Sequence, residues 1–172
     1  MKKQKTLVGV VMGSASDFPV LEEALKVLDS FSIAYEVTVS SAHRSPVRTS
    51  EYARTAVSRG LEVIIVGAGS AAHLAGVIAS ETLLPVIGIP IDSSPLKGID
   101  ALLSTVQMPA GVPVATMAIG NAGARNAAVF AAQILSLKHA EVRKKLISFR
   151  HELTAQVERT SLDLQKKLNQ SL

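Results

Sequence analysis

The sequence predicts the α/β fold class, with helices on both faces of a parallel five-stranded sheet and a long helix at the C-terminus. Three observations indicate this class. Short apolar runs rich in β-branched residues alternate along the chain with segments of helical periodicity. Hydrophobic residues make up 48% of the 172 residues, enough for a sizeable core, whereas aromatic residues make up only 3%. The C-terminal segment instead places charged residues between apolar ones at helical spacing.

Five strands are predicted where the apolar runs are continuous, as expected when both faces of a parallel sheet are covered. They span residues 6–12, 34–40, 62–69, 85–90 and 112–120. Helices are predicted after them, over residues 19–31, 46–60, 71–82, 98–108 and 122–138. Ser16 or Asp17 is the predicted cap of the first helix, and Gly60 ends the second. Right-handed crossovers then give a three-layer αβα sandwich, for which a flavodoxin-like strand order is expected.

The last segment, residues 138–170, is predicted to be an amphipathic helix of up to about thirty residues, longer than the roughly 12 typical of globular proteins. Its apolar stripe comprises Val142, Leu146, Phe149, Leu153, Val157, Leu164 and Leu168. One small domain offers no groove of that length, so part of the stripe is expected to pack on a neighbouring subunit. Without a repeat or linker, residues 1–172 are expected to form one domain with its α/β core at about residues 6–137.

The net charge of +4 does not indicate nucleic-acid binding, because of where the charges lie. Residues before Lys138 include ten basic and ten acidic side chains, so the whole excess falls in the predicted C-terminal helix. A nucleic-acid site usually adds aromatic residues or a recognition element, and neither is visible. The absence of cysteine excludes thiolate chemistry and agrees with a cytoplasmic location. No apolar run is long enough to span a bilayer, so no membrane partner is expected.

Residues with reactive or ligand-binding side chains follow the predicted strands, at the edge where open parallel sheets bind ligands. The first strand is followed by GSASD (13–17), the second by SSAHRSP (40–46), the third by GAGSAAH (67–73) and the fifth by AIGNAGARN (118–126). His43 and His73 fall at this edge. His139 and His151 lie in the predicted C-terminal helix and are expected to be solvated.

The first two loops combine features of anion binding and proton transfer. Ser14 and Ser16 offer hydroxyls beside N–H groups that open a helix, which favours a phosphate, and Asp17 can also face ligand hydroxyls. Arg44 can hold a phosphate or carboxylate in a bidentate fork. His43 belongs to the residue type that exchanges protons near neutral pH, a contribution of roughly 10²–10⁴ in rate.

The third loop contains Gly69 among small residues, so a ligand can approach its backbone closely. Metal binding is not expected, because no HxxxH or HxH pair fixes ligands at one spacing. A serine nucleophile is not expected either, because the chain has no Gly-x-Ser-x-Gly elbow. The loops therefore predict a small, cofactor-free site with anion binding and one proton-transfer residue.

These motifs together resemble the PurE family of purine biosynthesis. The resemblance extends from about residue 6 to 135 and includes VQMPAGVPVATMAIGNAGARNAAVFAAQIL (106–135). It implies a flavodoxin-like fold, a homo-octamer, a small ribonucleotide substrate and no metal or cofactor. It further implies rearrangement of N5-carboxyaminoimidazole ribonucleotide to 4-carboxy-5-aminoimidazole ribonucleotide. A second class of the family carboxylates aminoimidazole ribonucleotide directly with CO₂, but GNAGARNAA (120–128) resembles the first class.

The resemblance also implies roles for individual residues. His43 is the expected proton-transfer group. The expected substrate-binding residues are Ser14, Ser16, Asp17, Ser41, Arg44, Gly69, Ser70 and His73. The family usually reads GAGGAAHLPG, whereas here Ser70 replaces a glycine and Ala75 a proline. Ser70 adds strain if its position requires a positive φ, and Ala75 loosens a turn that proline would fix.

Two other functions stay open from the sequence. One is a PurE-like carboxylase that acts on a pyridine nucleotide for a nickel-pincer cofactor. The match along the whole core and the lack of an additional N-terminal domain disfavour it. The other is a non-catalytic nucleotide-binding module, which would use the same loops without turnover.

Overall fold

The computed structural model describes residues 5–170, which contain one parallel sheet with the strand order β2-β1-β3-β4-β5. The strands are β1 (Val8–Met12), β2 (Tyr35–Val39), β3 (Val63–Gly69), β4 (Val86–Ile91) and β5 (Ala115–Thr116). The helices are α1 (Phe18–Ser30), α2 (Pro46–Arg59), α3 (Leu74–Glu81), α4 (Ile99–Val106), α5 (Asn121–Ser136) and α6 (Ala140–Gln170). This order confirms the predicted flavodoxin-like arrangement.

The sheet separates two apolar layers because successive residues of a strand face opposite sides. Val10 of β1 faces the layer formed with α1, α5 and the start of α6. Val11 faces the opposite layer, which α2, α3 and α4 cover. The three-layer sandwich is therefore observed as predicted, with β1 and β3 buried along almost their whole length.

Helix α5 packs closely because its buried face consists of small residues. Five of its alanines are completely buried: Ala124, Ala127, Ala128, Ala131 and Ala132. At the start of the helix a Cβ on Gly123 would lie 1.6 Å from the carbonyl oxygen of Ala118. The helix thus approaches the chain leaving β5 at a distance that only glycine permits.

The fifth strand is much shorter than the predicted 112–120. Only Ala115–Thr116 pair in the ladder with β4. Pro113 has no N–H to donate, which disfavours earlier pairing on this edge. Beyond the strand, Met117 N donates to Gly88 O at 2.8 Å and Gly120 N to Pro90 O at 2.9 Å. The chain therefore continues beside β4 without forming a regular strand.

The first turns of helix α6 pack on the core of the same chain. Val142 and Leu146 are buried, and Phe149 packs edge-to-face on Phe31 with ring centroids 5.5 Å apart. From Leu153 onward the predicted apolar stripe is exposed. No helix in residues 5–170 combines the length and the apolar character needed to cross a membrane.

The expectation that His139 is solvated is wrong. This residue precedes α6, and its Nε2 lies 2.9 Å from Oε2 of Glu62, whose other oxygen accepts from Lys138 at 3.1 Å. Burial acts to raise the pKa of Glu62, but the hydrogen bonds from His139 and Lys138 outweigh it and lower the pKa. The cluster ties the start of α6 to the sheet, whereas His151 is exposed as expected.

The close approach at Gly123 predicts a stability effect. We expect Gly123→Ala to lower the free energy of unfolding by about 1–3 kcal/mol, because the atom it meets belongs to the backbone. Urea denaturation followed by circular dichroism measures this change. The control is Gly76→Ala in α3, where the new Cβ would meet only the flexible end of Met108 at 3.0 Å. Its loss should stay below about 1 kcal/mol, since alanine also favours the helix; equal losses in both variants would contradict the explanation.

Candidate active site

The loops after β1, β2, β3 and β4 surround one cavity of about 440 Å³. It is lined by Gly13, Ser14, Ser16, Asp17, Ser41, Ala42, His43, Arg44, Ala68, Gly69, Ser70, Ala71, Leu74 and Ser93. This volume suits a small ligand. Every predicted site residue except His73 lines the cavity, and the segment after β5 does not contribute to it.

The first loop is ordered by hydrogen bonds among its own residues. Gly13 N donates to Gly67 O at 3.2 Å, which extends the β1–β3 pairing by one residue. Ser14 caps a short 3-10 turn (Ala15–Asp17): its Oγ accepts from Ser16 N at 3.3 Å and from Ser16 Oγ at 2.8 Å. Both serine hydroxyls therefore hold each other at the cavity wall.

Asp17 is the one charged residue of this cavity that is almost completely buried, with 5% of its surface exposed. It stands at the start of α1, as predicted, but its side chain does not cap that helix. Its Oδ2 instead accepts from Ser14 N at 3.0 Å. Burial raises the pKa of the Asp17 carboxyl, and backbone N–H groups of Ser14 and Gly13 offset only part of that rise. The site thus keeps a carboxylate in an environment that disfavours its charge.

The second loop is shaped by its serines. Ser45 N and Ser45 Oγ both donate to Ser41 O, at 2.8 and 3.0 Å, and Ser45 Oγ accepts from Ser41 N at 3.1 Å. Ser41 Oγ accepts from Arg44 N at 3.2 Å. These bonds form a tight turn, from which His43 and Arg44 extend side by side into the cavity.

Arg44 connects the second loop to the first. One of its guanidinium nitrogens, Nη2, donates to Gly13 O at 3.4 Å. Within residues 5–170 this is the one hydrogen bond seen for the guanidinium, and the side chain is exposed at the cavity. The arrangement leaves most of the guanidinium fork facing a position where an anionic group of a ligand can bind.

The His43 ring contacts a second imidazole. His43 Nε2 lies 3.0 Å from His73 Nδ1, and the two rings are nearly perpendicular, at 87°, with centroids 5.1 Å apart. His73, which the sequence predicts to bind substrate, directly precedes α3, and its ring contacts that of His43, which lines the cavity. Thirty residues of sequence separate the two histidines, and the pairing of β2 and β3 with β1 brings them together.

Ser70 has a positive φ, which is the condition under which the sequence analysis expects it to add strain. Its φ is 53°, in the left-handed region that costs a side chain roughly 1–2 kcal/mol. Ser70 is exposed and lines the cavity between Gly69 and Ala71. The strain therefore lies at the wall of the cavity, where strained residues often have functional reasons.

Ser93 is the one hydroxyl of the cavity that the sequence analysis missed. It follows β4 in the segment IDSSP (91–95), which carries no recognisable motif. A Cβ on Gly69 would lie 1.8 Å from Ser93 Oγ, so the glycine is what allows this serine to reach the cavity. The rule that ligands bind at the carboxyl ends of parallel strands would have indicated this segment too.

Residues 5–170 contain no group of three or more His, Asp or Glu side chains placed to hold a metal ion. The polar groups of the cavity are instead four serine hydroxyls besides Ser93, one carboxylate, one guanidinium and the His43 imidazole. Such a set can bind an anion and hydroxyl groups and can move a proton.

Comparison with known proteins agrees with this geometry. The family model described as AIR carboxylase matches residues 7–156. The chain belongs to the AIR carboxylase family. The matched segment includes every loop of the cavity, so the family assignment covers the site as well as the sheet.

Relatives of this chain carry a more specific name. The N5-carboxyaminoimidazole ribonucleotide mutase of Pyrococcus horikoshii is 53% identical over 166 residues, covering 96% of this chain and 93% of the relative. The mutase of the same name from Pseudomonas aeruginosa is 56% identical over 151 residues, covering 88% and 93%. Among solved structures, Treponema denticola PurE superimposes with a TM-score of 0.83 at 27% identity, covering 92% of this chain and 98% of that one.

The buried carboxyl of Asp17 predicts how stability depends on pH. The folded protein holds this proton more tightly than the unfolded chain, so stability falls as pH rises from 3.8 through the raised pKa of Asp17. We expect Asp17→Asn to be more stable than the wild type at pH 7 and to lose this advantage near pH 3.5. Chemical denaturation across this pH range measures the difference. Asp163→Asn, at an exposed position on α6, should leave the wild-type dependence unchanged; an Asp17→Asn protein no more stable at pH 7 would contradict the argument.

Proposed function

We propose that this protein is an N5-carboxyaminoimidazole ribonucleotide mutase of purine biosynthesis, acting in the cytoplasm without a metal or cofactor. One observation carries the proposal: a single cavity joins the His43 imidazole to the anion- and hydroxyl-binding groups of Ser14, Asp17 and Arg44. Membership of the AIR carboxylase family and the names of relatives more than 50% identical support the same reaction.

The binding roles follow from the chemistry of the lining groups. Arg44 binds the phosphate, with Ser14 and Ser16 supplying hydroxyls at the opening of α1. Asp17, a buried carboxylate, accepts hydrogen bonds from ribose hydroxyls, which compensate for the cost of burying its charge. Ser41, Gly69 and Ser70 complete the wall around the aminoimidazole ring.

The proposed reaction moves one carboxylate and returns every proton. The N–C bond of the carbamate breaks, CO₂ leaves, and the nitrogen keeps the electron pair and takes a proton from His43. C4 of the aminoimidazole then forms a bond to the same CO₂. His43 removes the C4 proton, and the C–H electron pair restores the ring. The histidine ends in the protonation state in which it began, as a general acid and base must.

The cavity contributes by holding CO₂ near C4 until it is recaptured. Its wall includes small apolar groups, Ala42, Ala68 and Ala71, together with Leu74. Recapture is an intramolecular event as long as CO₂ stays in the cavity, and such proximity contributes roughly 7–11 kcal/mol in favourable cases. No strong electrophile or nucleophile of the protein is needed.

We also propose that the chain acts as one domain within a homo-octamer, in which α6 packs on a neighbouring subunit. Leu153, Val157, Leu164 and Leu168 continue the stripe that begins at buried Val142, yet between 41% and 70% of their surfaces are exposed in the single chain. An apolar stripe of this length on a charged helix is typical of a helix that packs on another helix or subunit.

The first test separates the mutase from the direct carboxylase. Purified protein supplied with the carbamate ribonucleotide, without ATP or added bicarbonate, should form the C4-carboxylated product. With labelled bicarbonate present, early product should remain largely unlabelled, because CO₂ stays in the cavity. Mass spectrometry of the product measures the label. Full labelling, with fast turnover of aminoimidazole ribonucleotide and bicarbonate, would instead identify a carboxylase.

The same assay tests His43. His43→Asn should lower kcat by about 10²–10⁴ while the ribonucleotide Kd changes little, because the ring moves protons and does not hold the phosphate. His151→Asn, at an exposed position on α6, is the control and should keep wild-type turnover. Wild-type turnover in His43→Asn would reject His43 as the proton carrier. Absence of turnover in the wild type as well as in His43→Asn would indicate a binding module.

A second test concerns the assembly. Val157→Gln combined with Leu164→Gln should reduce the molar mass measured by size-exclusion chromatography with light scattering. Leu162→Gln is a matched control, because Leu162 and Leu164 are similarly exposed, at 56% and 58%. Residues two positions apart on an α-helix point in nearly opposite directions, so Leu162 lies off the stripe. The control should retain the wild-type mass. Equal masses for all three proteins would exclude the stripe as an interface.

A further inference from the structure

We infer that His73 is a positioning residue, which fixes the His43 proton on Nε2 and so makes Nδ1 the nitrogen that exchanges protons with the substrate. This inference rests on the proposed function. It starts from the 3.0 Å separation between His43 Nε2 and His73 Nδ1 and from the absence of His73 from the cavity wall. His73 therefore acts on the reaction through His43.

The contact requires one proton between the two rings. Each ring nitrogen of a neutral imidazole is either a donor or an acceptor. Two N–H groups facing each other at this distance would repel, and two lone pairs would form no bond. Either His43 Nε2–H donates to His73 Nδ1, or His73 Nδ1–H donates to His43 Nε2.

The proposed reaction distinguishes these two arrangements. His43 must alternate between a neutral ring and an imidazolium, which carries protons on both nitrogens. If His73 were the donor, each imidazolium would place two N–H groups face to face and break the contact. If His43 Nε2–H is the donor, both forms of His43 keep the bond. Only the second arrangement survives the whole proton cycle.

The surroundings of His43 leave this role to His73. The other charged groups at the cavity are Arg44 on the same loop and Asp17 on the 3-10 turn. Arg44 donates to Gly13 O, and Asp17 accepts from Ser14 N. Within residues 5–170, His73 is the one side chain recorded in a hydrogen bond with the His43 ring, which leaves His43 Nδ1 for the substrate.

The backbone of His73 is held in place although its ring is exposed. Its N–H donates to Ala71 O at 2.8 Å, and its carbonyl accepts from Val77 N at 3.0 Å in the first turn of α3. Its neighbours Ala72 and Leu74 are buried, so they anchor the residue on both sides. An anchored acceptor orients its partner ring at little further entropic cost.

The proton count balances with His73 in this role. The imidazolium form of His43 gives its Nδ1 proton to the leaving nitrogen, and Nδ1 later receives the C4 proton. The Nε2 proton remains between the rings throughout. His73 stays neutral, with its own proton on Nε2, and it stabilises the imidazolium by accepting a charge-assisted hydrogen bond.

Two substitutions test this role. His73→Asn places an amide oxygen near the position of Nδ1, so it still accepts a hydrogen bond but exchanges no proton. His73→Leu removes the acceptor. We expect kcat of His73→Leu to fall about 10–100-fold, the loss typical when a partner that orients a functional histidine is removed. His73→Asn should restore most of kcat, and KM should change less than about twofold in both, because the inferred role of His73 is to hold the His43 ring and not to bind the substrate.

A spectroscopic readout tests the pairing without turnover. In ¹⁵N-labelled protein, two-bond ¹⁵N–¹H correlations report which nitrogen of His43 carries the proton, and His43→Asn assigns the signals. Wild type and His73→Asn should show the Nε2–H form, and His73→Leu should show both forms. Thermal unfolding of the variants establishes that each is folded before comparison.

Several outcomes would overturn the inference. The first is an unchanged His43 tautomer and an unchanged kcat in His73→Leu. The second is a raised KM with unchanged kcat in His73→Leu. The third is a loss of kcat in His73→Asn as large as in His73→Leu. The second would make His73 a substrate contact, and the third would require the ring to exchange protons itself. If the wild type converts no substrate, but the His43 tautomer changes from wild type to His73→Leu as expected, the proposed reaction is wrong and the inferred hydrogen bond between the two histidines is retained.

Discussion

The parallel pairing of β1 between β2 and β3 is the constraint on which the site depends. Met12, the last residue of β1, is level with Val39 on one side and Gly67 on the other. The ladder continues one residue further, since Ser40 N donates to Met12 O at 2.9 Å and Gly13 N to Gly67 O. The loops after β1 and β2 therefore leave the sheet at the same level, and β3 continues two residues further beside β4 before its own loop begins. A shift of β3 by one residue would turn its buried side chains to the wrong face, so the apolar layers also fix the register of β3 against β1.

Two residues of the cavity, Asp17 and Ser70, lower the stability of the fold. Burial raises the pKa of the Asp17 carboxyl, so its charge at neutral pH costs stability that a neutral side chain would not. Ser70 holds a backbone conformation in which glycine would be unstrained. Both residues line the cavity, whereas the strands beneath it are apolar and buried. The strongly buried sheet tolerates these local costs, which is the usual relation between a rigid scaffold and its active-site loops.

The sequence was sufficient to predict the sheet and most of the cavity because both depend on local patterns. Buried strands read as continuous apolar runs, and the loop motifs lie directly after them. The length of β5 was not predictable in this way, because Pro113 limits pairing on an edge that the apolar pattern does not distinguish. Ser93 was missed because its hydroxyl reaches the cavity only where Gly69, which has no Cβ, leaves room for it. The contact between His43 and His73 depends on tertiary structure alone, and so does the partnership of His139 with Glu62.

Polar groups around the cavity are organised before any substrate binds. Ser14 and Ser16 hold each other, Ser41 accepts from Arg44 N, and Asp17 accepts from Ser14 N. Each bond uses part of a group's capacity and leaves the rest for a ligand, so binding requires little rearrangement of the loops. This suits a rearrangement in which the reactive fragment is a small gas molecule with no charge for the protein to hold. In the proposed reaction, catalysis depends on keeping the ring, the released CO₂ and one imidazole in fixed relative positions, and preorganised loops on a rigid sheet favour that geometry.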